Sequence, residues 1–390
     1  MKKILILGGY GLTGTHLSRL LLAHTNADIV IAGRSRQKAE SLVADLRQSF
    51  TQERVGAACV DVEDIDSVRR ALAGIDLVLL ATSFARHCSV VAKAAVEMNV
   101  DYLDVLYSPE KLEILNALAP EVERRGLCFV TEAGFHPGLP LALVRYMACQ
   151  FDNLDEAIVS SVIRMKIDPE LEMPESIYDL VAAFRQKPLV FRDGRWFTSW
   201  LSWIWPYRRI RFASPFGTRS CVPFFMPEMR YIPDEFTQIR ETGFYIAGFN
   251  WFVDWFLSPL ILLAVLIAPK TTTRPMAKLL FWGAKRFTRP PYGTQLVVDA
   301  VGRRGREPSK ERLILSHEDA YVFSAVPVVA FLRQYLESAV RKPGLWMMGQ
   351  LAVPIRLLED MERIGITVHR QVSDQRRVGA RQAFSSHHIS

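Results

Sequence analysis

The sequence predicts an α/β protein in which a doubly wound parallel sheet is followed by a second α+β domain that is mostly antiparallel. Its first third alternates short apolar runs with amphipathic stretches, as parallel strands and crossover helices do. A glycine-rich segment directly follows the first apolar run. After about residue 150, aromatic and β-branched residues become more frequent and turn signals separate the apolar runs. This change of pattern predicts the second domain.

The length and composition are those of a folded enzyme-sized protein. A chain of 390 residues has room for roughly two or three domains. Hydrophobic residues make up 49% and charged residues 23%, which excludes a disordered or collagen-like protein. The net charge of +7 is too small for this length to predict nucleic-acid binding without a basic stripe. The 5 cysteines form no CxxC pair and the run Ile4–Leu7 is too short for a secretory signal, so we expect a cytoplasmic protein.

Five strands are expected in the first domain, which we assign to residues 1–150. Apolar residues at i, i+3, i+4 and i+7 predict helices between them, as at 39–46 and 91–98. Strands joined by crossover helices run parallel, so this domain is expected to be a doubly wound sheet. The expected strands are Ile4–Leu7, Asp28–Ala32, Gly56–Val60, Leu77–Ala81 and Leu127–Val130.

Residues 151–372 are expected to form the second domain. Turn residues at Asp193-Gly194 and within 303–309 predict two hairpins. The apolar stretch Ala320–Leu332 predicts a buried helix, kinked or begun at Pro327, and we expect the wider helix 319–340 to pack back on the first domain. Residues 373–390 contain few apolar side chains and are predicted to be a flexible tail.

The segment GGYGLTG at 8–14 has the glycine spacing of a dinucleotide-binding fingerprint. Its glycines allow a tight turn, close approach of the backbone to a pyrophosphate and close packing of the next helix, whose N-terminus attracts phosphates. A glycine-rich turn without a ligand is the alternative. We therefore predict a Rossmann domain with cofactor contacts from Gly8, Gly9, Tyr10, Gly11, Leu12, Thr13 and Gly14.

The end of the second predicted strand indicates which dinucleotide is bound. NAD-binding domains carry an acidic residue there, about 20 positions after the glycines, whereas this chain has Arg34 and Ser35. A guanidinium suits a 2′-phosphate, so the sequence predicts NADP(H). The alternative is that Arg34 is simply a solvent-exposed residue at the start of a helix. The ends of the third and fourth strands are further candidates for cofactor contact, through Asp61, Val62, Ala81, Thr82 and Ser83.

Three segments carry a family resemblance: GGYGLTG at 8–14, AGRS at 32–35 and, above all, EAGFHPGLP at 132–140. They resemble the saccharopine dehydrogenase-like oxidoreductases, and the similarity extends over most of the chain. The resemblance implies a Rossmann domain, a second domain for substrate binding and dimerisation, and NADP(H) in the cleft between them. In the family's loop an aspartate commonly stands where this chain has His136.

Three residues are candidates for contact with a substrate, and no metal site is predicted. His136 follows a predicted strand in a loop made rigid by glycines and prolines. It could transfer protons near pH 7, or it could simply hydrogen-bond the turn. Tyr321 and Asp104 also lie at the ends of predicted elements and are the other two candidates.

The stretch 242–269 has 28 residues with one charge, Asp254, and one internal proline, Pro259. This length could span a bilayer, but the charge and the proline argue against a spanning helix. Trp251 and Trp255, with basic residues on either side, are typical of contact with a membrane interface. The stretch is therefore expected to be a core helix, a lipid-pocket helix or an interfacial helix.

These observations predict an NADP(H)-dependent oxidoreductase that transfers hydride to or from a C=C, C=N or C=O group. The aromatic second half favours an apolar or lipid-like small-molecule substrate. The alternatives are an amino-acid or imine dehydrogenase of saccharopine type and a non-catalytic NADP-binding protein at a membrane surface. We expect no nucleic-acid partner, and we predict peripheral membrane contact through 242–269 and a homodimer.

Overall fold

The computed structural model describes residues 1–82, 85–168, 170–198 and 208–373, which contain two β-sheets and their helices. The strands are β1 (Lys3–Leu7), β2 (Asp28–Gly33), β3 (Val55–Cys59), β4 (Leu77–Leu80), β5 (Asp101–Asp104), β6 (Cys128–Thr131), β7 (Asn153–Arg164), β8 (Leu189–Arg192), β9 (Arg195–Thr198), β10 (Arg208–Arg211), β11 (Thr218–Phe224), β12 (Glu241–Ala247), β13 (Gly293–Arg304), β14 (Glu307–His317), β15 (Gly344–Met347) and β16 (Thr367–Ser373). The α-helices are α1 (Leu12–His24), α2 (Arg36–Leu46), α3 (Ile65–Leu72), α4 (Ala85–Met98), α5 (Pro109–Arg124), α6 (Leu139–Ala148), α7 (Glu175–Ala183), α8 (Tyr231–Glu235), α9 (Ser258–Ile267), α10 (Pro269–Phe287), α11 (Ala320–Leu336), α12 (Met348–Leu351) and α13 (Pro354–Ile364).

The first sheet is parallel and has the strand order β15-β6-β5-β4-β1-β2-β3. Its central strand β1 is apolar and buried from Ile4 to Leu7, as expected for a strand covered on both faces. Ile4 and Ile6 pack with α1, α2 and α11, whereas Leu5 and Leu7 pack on the opposite face with α3, α4 and α5. The predicted doubly wound parallel sheet is confirmed.

All the strands expected in this sheet are present, with boundaries within one residue of the prediction. Two of its strands were not predicted. Strand β5 begins and ends with aspartates that are buried because each has a cationic partner, Arg341 for Asp101 and Lys111 for Asp104. Strand β15 enters the sheet from the C-terminal part of the chain and pairs with β6. Residues 344–347 thus belong to the first sheet although they fall within 151–372.

The second sheet has the order β10-β11-β12-β7-β13-β14-β16, with the β8–β9 hairpin attached to β12. Its neighbouring strands are antiparallel except for the pair β12 and β7, so the mostly antiparallel prediction is confirmed. Both predicted hairpins are present. At the first one, Asp193 and Gly194 have φ values of +50° and +75°, as the tight turn requires.

Helix α11 begins at Ala320 and continues through Pro327. Its start is fixed by the Asp319 carboxylate, which accepts hydrogen bonds from the N–H groups of Tyr321 (2.7 Å) and Val322 (3.2 Å). The helix packs against α1 on the first sheet and against β13 and β14 of the second. It therefore joins the two sheets through one apolar core.

The expectation of a single helix over 242–269 is wrong. Residues 241–247 form β12, because the β-branched and aromatic side chains there pair well with β7 and β11 inside the sheet. A π-helical turn at Val253–Leu257 then leads into α9 and α10. None of the helices in the described ranges has the length and apolarity needed to cross a membrane. The predicted tail from residue 374 onward lies outside the described residues.

Candidate functional site

The glycine-rich loop forms an open cradle between β1 and α1. Helix α1 begins after Gly11, which makes no side-chain cap, and its first turn carries no acidic residue. No side chain there would therefore compete with a bound anion for the first backbone N–H groups of the helix. Gly8 has a φ of +83°. A Cβ at Gly14 would lie 2.1 Å from the Gly8 carbonyl oxygen, so only glycine allows the helix to pack this closely. These features fit a dinucleotide pyrophosphate.

Tyr10 connects this loop to the end of β2. Its hydroxyl accepts a hydrogen bond from the Ser35 N–H at 3.0 Å, and its ring covers Gly33. The Ser35 side chain caps α2 by accepting from the Lys38 N–H. Arg34 is exposed, and its guanidinium makes no hydrogen bond or ion pair with the described residues. The structure thus brings Tyr10, Arg34 and Ser35 together and leaves Arg34 available for a 2′-phosphate.

The carboxyl end of β4 lies beside the same loop, and the residues that follow β3 lie further along the same edge of the sheet. A Cβ at Gly8 would lie 2.8 Å from the Ala81 carbonyl oxygen, and the Thr82 hydroxyl lies 3.2 Å from Nδ1 of His87. Asp61 is exposed and accepts from the Glu63 N–H, whereas Val62 is buried. Ser83 lies outside the described residues. A shallow pocket next to these strand ends is lined by Val62, Glu63, His87 and Val90.

Asp104, at the carboxyl end of β5, is fully buried, and both of its carboxylate oxygens accept hydrogen bonds. Oδ1 accepts from the Lys111 ammonium at 2.8 Å, and Oδ2 accepts from the Thr131 hydroxyl at 2.8 Å. Oδ1 also accepts from the N–H groups of Leu106 and Glu132. This network makes Asp104 a residue that positions the loop after β6.

Glu132 is a functional candidate that sequence reasoning missed. It directly follows β6, and its φ of +54° is rare for a residue with a side chain. The side chain is buried, and neither carboxyl oxygen has a hydrogen-bond partner among the described residues. Burial raises the pKa of Glu132 to about 7, while Lys111 opposes the rise and Asp104 adds to it. Glu132 is therefore a carboxyl group that gains and loses its proton near neutral pH.

Glu228 brings a second buried carboxyl group to the same place from the segment Pro227–Arg230. Its Oε1 accepts a hydrogen bond from the Gly138 N–H at 2.8 Å. Burial raises the pKa of Glu228 to about 8; the Gly138 hydrogen bond opposes this rise, and the nearby Glu132 adds to it. Two like charges cannot easily coexist there, so at least one of the two carboxyls is protonated at neutral pH.

His136 lies between Phe135 and Phe244, with ring-centroid distances of 4.1 and 5.6 Å. Its Nε2 is 3.4 Å from the Ser161 hydroxyl oxygen. Burial lowers the pKa of His136 to about 4, so the imidazole is neutral at pH 7. A neutral ring can hydrogen-bond a substrate but holds no extra proton to give. Tyr321 is half-buried in the first turn of α11, and within the described residues neither a hydrogen bond nor a ring contact joins it to His136 or Asp104.

A glycine-rich turn between the first strand and the first helix of an open parallel sheet is the arrangement by which Rossmann domains bind dinucleotides. Residues 4–126 match the family model described as the saccharopine dehydrogenase NADP binding domain. Residues 4–126 are thus similar to that family model, which supports NADP(H) as the cofactor of the N-terminal domain. Both the resemblance and the cofactor inferred from the sequence are confirmed.

The solved structures extend the likeness to the whole fold. Apo saccharopine dehydrogenase (L-Glu forming) from Saccharomyces cerevisiae superposes with a TM-score of 0.68 at 14% identity, covering 96% of this chain and 100% of that chain. An engineered D-amino acid dehydrogenase bound to NADP+ gives a TM-score of 0.46 at 13% identity, covering 93% of this chain and 98% of that one. At such identities the first match shows the fold alone, and the second is too distant to add to it. Curated protein sequences give no match to the chain.

Proposed function

We propose that the protein is an NADP(H)-dependent oxidoreductase in which Glu132 holds the proton that the reduced substrate takes up. The observation that carries the proposal is the buried Glu132 carboxyl, with its pKa raised to about 7, at the carboxyl end of β6. Ligands of open α/β sheets bind outside the carboxyl ends of the strands. A proton donor near neutral pH at that edge suits a reduction.

When bound, the nicotinamide supplies or accepts hydride. The chain's own residues hold the proton and orient the substrate. Burial and the nearby Asp104 raise the pKa of Glu132 and so favour its protonated form, and the neutral His136 hydrogen-bonds the polar atom of the reacting group. Asp104 and Lys111 form an ion pair that fixes the backbone leading into Glu132.

An apolar or lipid-like substrate fits the surroundings of His136 best. Phe135 stacks on Phe323 with a centroid distance of 4.3 Å, and Phe244 lies on the other side of His136. A substrate with several carboxylates would need several arginines to bind it. Among the described residues, no arginine forms a hydrogen bond or an ion pair with Glu132, Glu228 or His136.

The second candidate is an amino-acid or imine dehydrogenase of saccharopine type, which the likeness of the whole fold to yeast saccharopine dehydrogenase favours. A substrate panel separates the two. We expect NADPH oxidation with an enoyl thioester or a long-chain aldehyde to be about tenfold or more faster than with glutamate plus an amino-acid aldehyde, the imine-forming pair for a glutamate-forming enzyme. The measurement is the loss of NADPH absorbance at equal substrate concentration. Faster turnover of the amino-acid mixture would favour the second candidate, and no turnover despite NADPH binding would favour a non-catalytic protein.

Arg34 is expected to make the protein prefer NADPH over NADH by about tenfold or more, because one charge-assisted hydrogen bond to the 2′-phosphate contributes roughly 1.5–3 kcal/mol. Titration by nucleotide fluorescence measures both dissociation constants. Arg34→Asp should remove the preference by weakening NADPH binding, because a carboxylate repels the phosphate. Arg36→Asp is the matched control, since Arg36 is also exposed but pairs with Glu40 at 2.7 Å. Equal affinities for the two nucleotides in the wild type would refute the role of Arg34.

A further inference from the structure

The segment Trp251–Phe287, which we call the helical hairpin, exposes a continuous apolar face. Large apolar side chains are usually well covered by their neighbours. In this hairpin Trp251 is 61% exposed, Trp255 78% and Ile267 74%. Phe256, Leu260 and Leu263 are 60%, 49% and 58% exposed and lie at helical spacing between them. These six residues form a stripe along one side of α9 and the turn before it.

The opposite side of the same helix is already occupied by the protein core. Val253, Leu257, Ile261 and Val265 are buried against α10 and against Val181 of α7. A helix that is apolar on both sides is normally covered on both sides. The core covers only one side, so the exposed stripe needs a second apolar environment.

The charge around the stripe indicates what that environment is. Between residues 249 and 290 the sequence has a single acidic residue, Asp254, which is partly buried and accepts a hydrogen bond from the Phe249 N–H at 2.8 Å. The same interval contains six basic residues, five of them exposed: Lys270, Arg274, Lys278, Arg286 and Arg289. Tryptophans beside an apolar stripe, flanked by exposed basic residues, match the interface of an anionic bilayer.

A second copy of the chain would be a poorer occupant. In a two-fold symmetric dimer the same patch faces itself, so two basic hairpins would be brought together. Like charges placed close together oppose association. Anionic lipid headgroups attract the same residues.

We propose that the helical hairpin docks on the surface of an anionic membrane, with its apolar stripe in the headgroup region and its basic residues on lipid headgroups. This inference goes beyond the proposed function and does not depend on it. It places the protein at a surface where apolar substrates are concentrated.

Vesicle co-sedimentation of the full chain tests the stripe. Wild type should bind phosphatidylglycerol-containing vesicles about tenfold or more tightly than pure phosphatidylcholine vesicles, and added salt should weaken the binding. Trp255→Asp with Leu263→Asp should reduce binding to the anionic vesicles by about tenfold or more. Ile355→Asp is the matched control, because Ile355 on α13 is 47% exposed but lies outside the hairpin. Equal binding by wild type and the double variant would overturn the proposal.

A second pair of substitutions keeps the test valid if the double variant fails to fold. Lys278→Glu with Arg286→Glu changes exposed charges without touching the apolar core, and should lower anionic-vesicle binding by about tenfold or more while the melting temperature is retained. Size-exclusion chromatography is run in parallel. The proposal is wrong if wild type does not bind vesicles but forms a dimer, and if Trp255→Asp with Leu263→Asp dissociates that dimer. A second copy of the chain would then cover the stripe.

Discussion

The Glu132→Gln variant is expected to bind NADPH within a few-fold of wild type but to turn over substrate roughly 10²–10⁴-fold more slowly. Glutamine keeps the size of the side chain and removes the proton that the reduced substrate needs. Glu132 lies after β6, whereas the phosphate cradle lies at the start of α1. The substitution should therefore leave the affinity for NADPH almost unchanged. Both quantities are measured with the substrate that the panel identifies.

The pH dependence distinguishes a proton donor from a structural residue. Glu132 donates only while it is protonated, so the wild-type turnover should fall as the pH rises through about 7, the raised pKa of this carboxyl. The variant should have lost that fall. Glu121→Gln is the matched control, since Glu121 is a partly exposed carboxylate on α5 paired with Arg124 and Arg125. A slower variant with an unchanged pH profile and a lower melting temperature would make Glu132 structural.

The sequence contained Glu132 in its most informative loop, yet directed attention to His136. A histidine is expected to titrate near neutral pH, and a glutamate is not. Burial reverses both expectations, because it lowers the pKa of His136 to about 4 and raises that of Glu132 to about 7. Burial here depends on tertiary contacts such as that between His136 and Phe244, which comes from a distant segment of the chain. No local pattern encodes that contact.

The first sheet was predictable because its signals are local. Each of β1, β2, β3, β4 and β6 is a short apolar run followed by a helical period, and the glycine motif fixes the place of β1 and α1. Strand β15 was not predictable in this way, since its four residues join the sheet only after the chain has completed most of the second domain. Strand β5 was not predicted because it begins and ends with an aspartate, a residue that is normally exposed. Both aspartates are buried here because each forms an ion pair with a residue outside the strand.

The stretch 242–269 shows that a long apolar run does not by itself distinguish a helix from a strand. Its apolar residues continue from β12 through the π-helical turn into α9 with only the isolated polar residues Asn250, Asp254 and Ser258 between them, so the length of the run suggested one helix. The β-branched and aromatic residues at 242–246 favour a strand, but that preference depends on partners that only the sheet provides. The prediction of contact with a membrane interface was based on the tryptophans, and the structure adds that Trp251 and Trp255 are exposed.

The Gly11→Val variant is expected to lose detectable binding of both NADPH and NADH while keeping its fold. Gly11 has φ −73° and ψ 175°, a conformation that valine adopts, so the backbone tolerates the change. A Cβ there would meet only the Gly8 carbonyl oxygen, at 3.1 Å, and the rest of the side chain would occupy the exposed space where a pyrophosphate approaches. Gly14→Val is a poorer test, because its Cβ would lie 2.1 Å from the Gly8 carbonyl oxygen and would disturb the packing of α1.

Fluorescence titration with each nucleotide measures the loss, and circular dichroism on the same samples checks the fold. Gly56→Val is the matched control, since a Cβ at Gly56 in β3 meets nothing within 4 Å and valine suits a strand. This control should bind both nucleotides as wild type does. Because the pyrophosphate is common to NADP(H) and NAD(H), a loss confined to NADPH would place the obstruction near the 2′-phosphate instead. Unchanged binding of both nucleotides by a folded Gly11→Val protein would mean that the pyrophosphate does not lie against this loop.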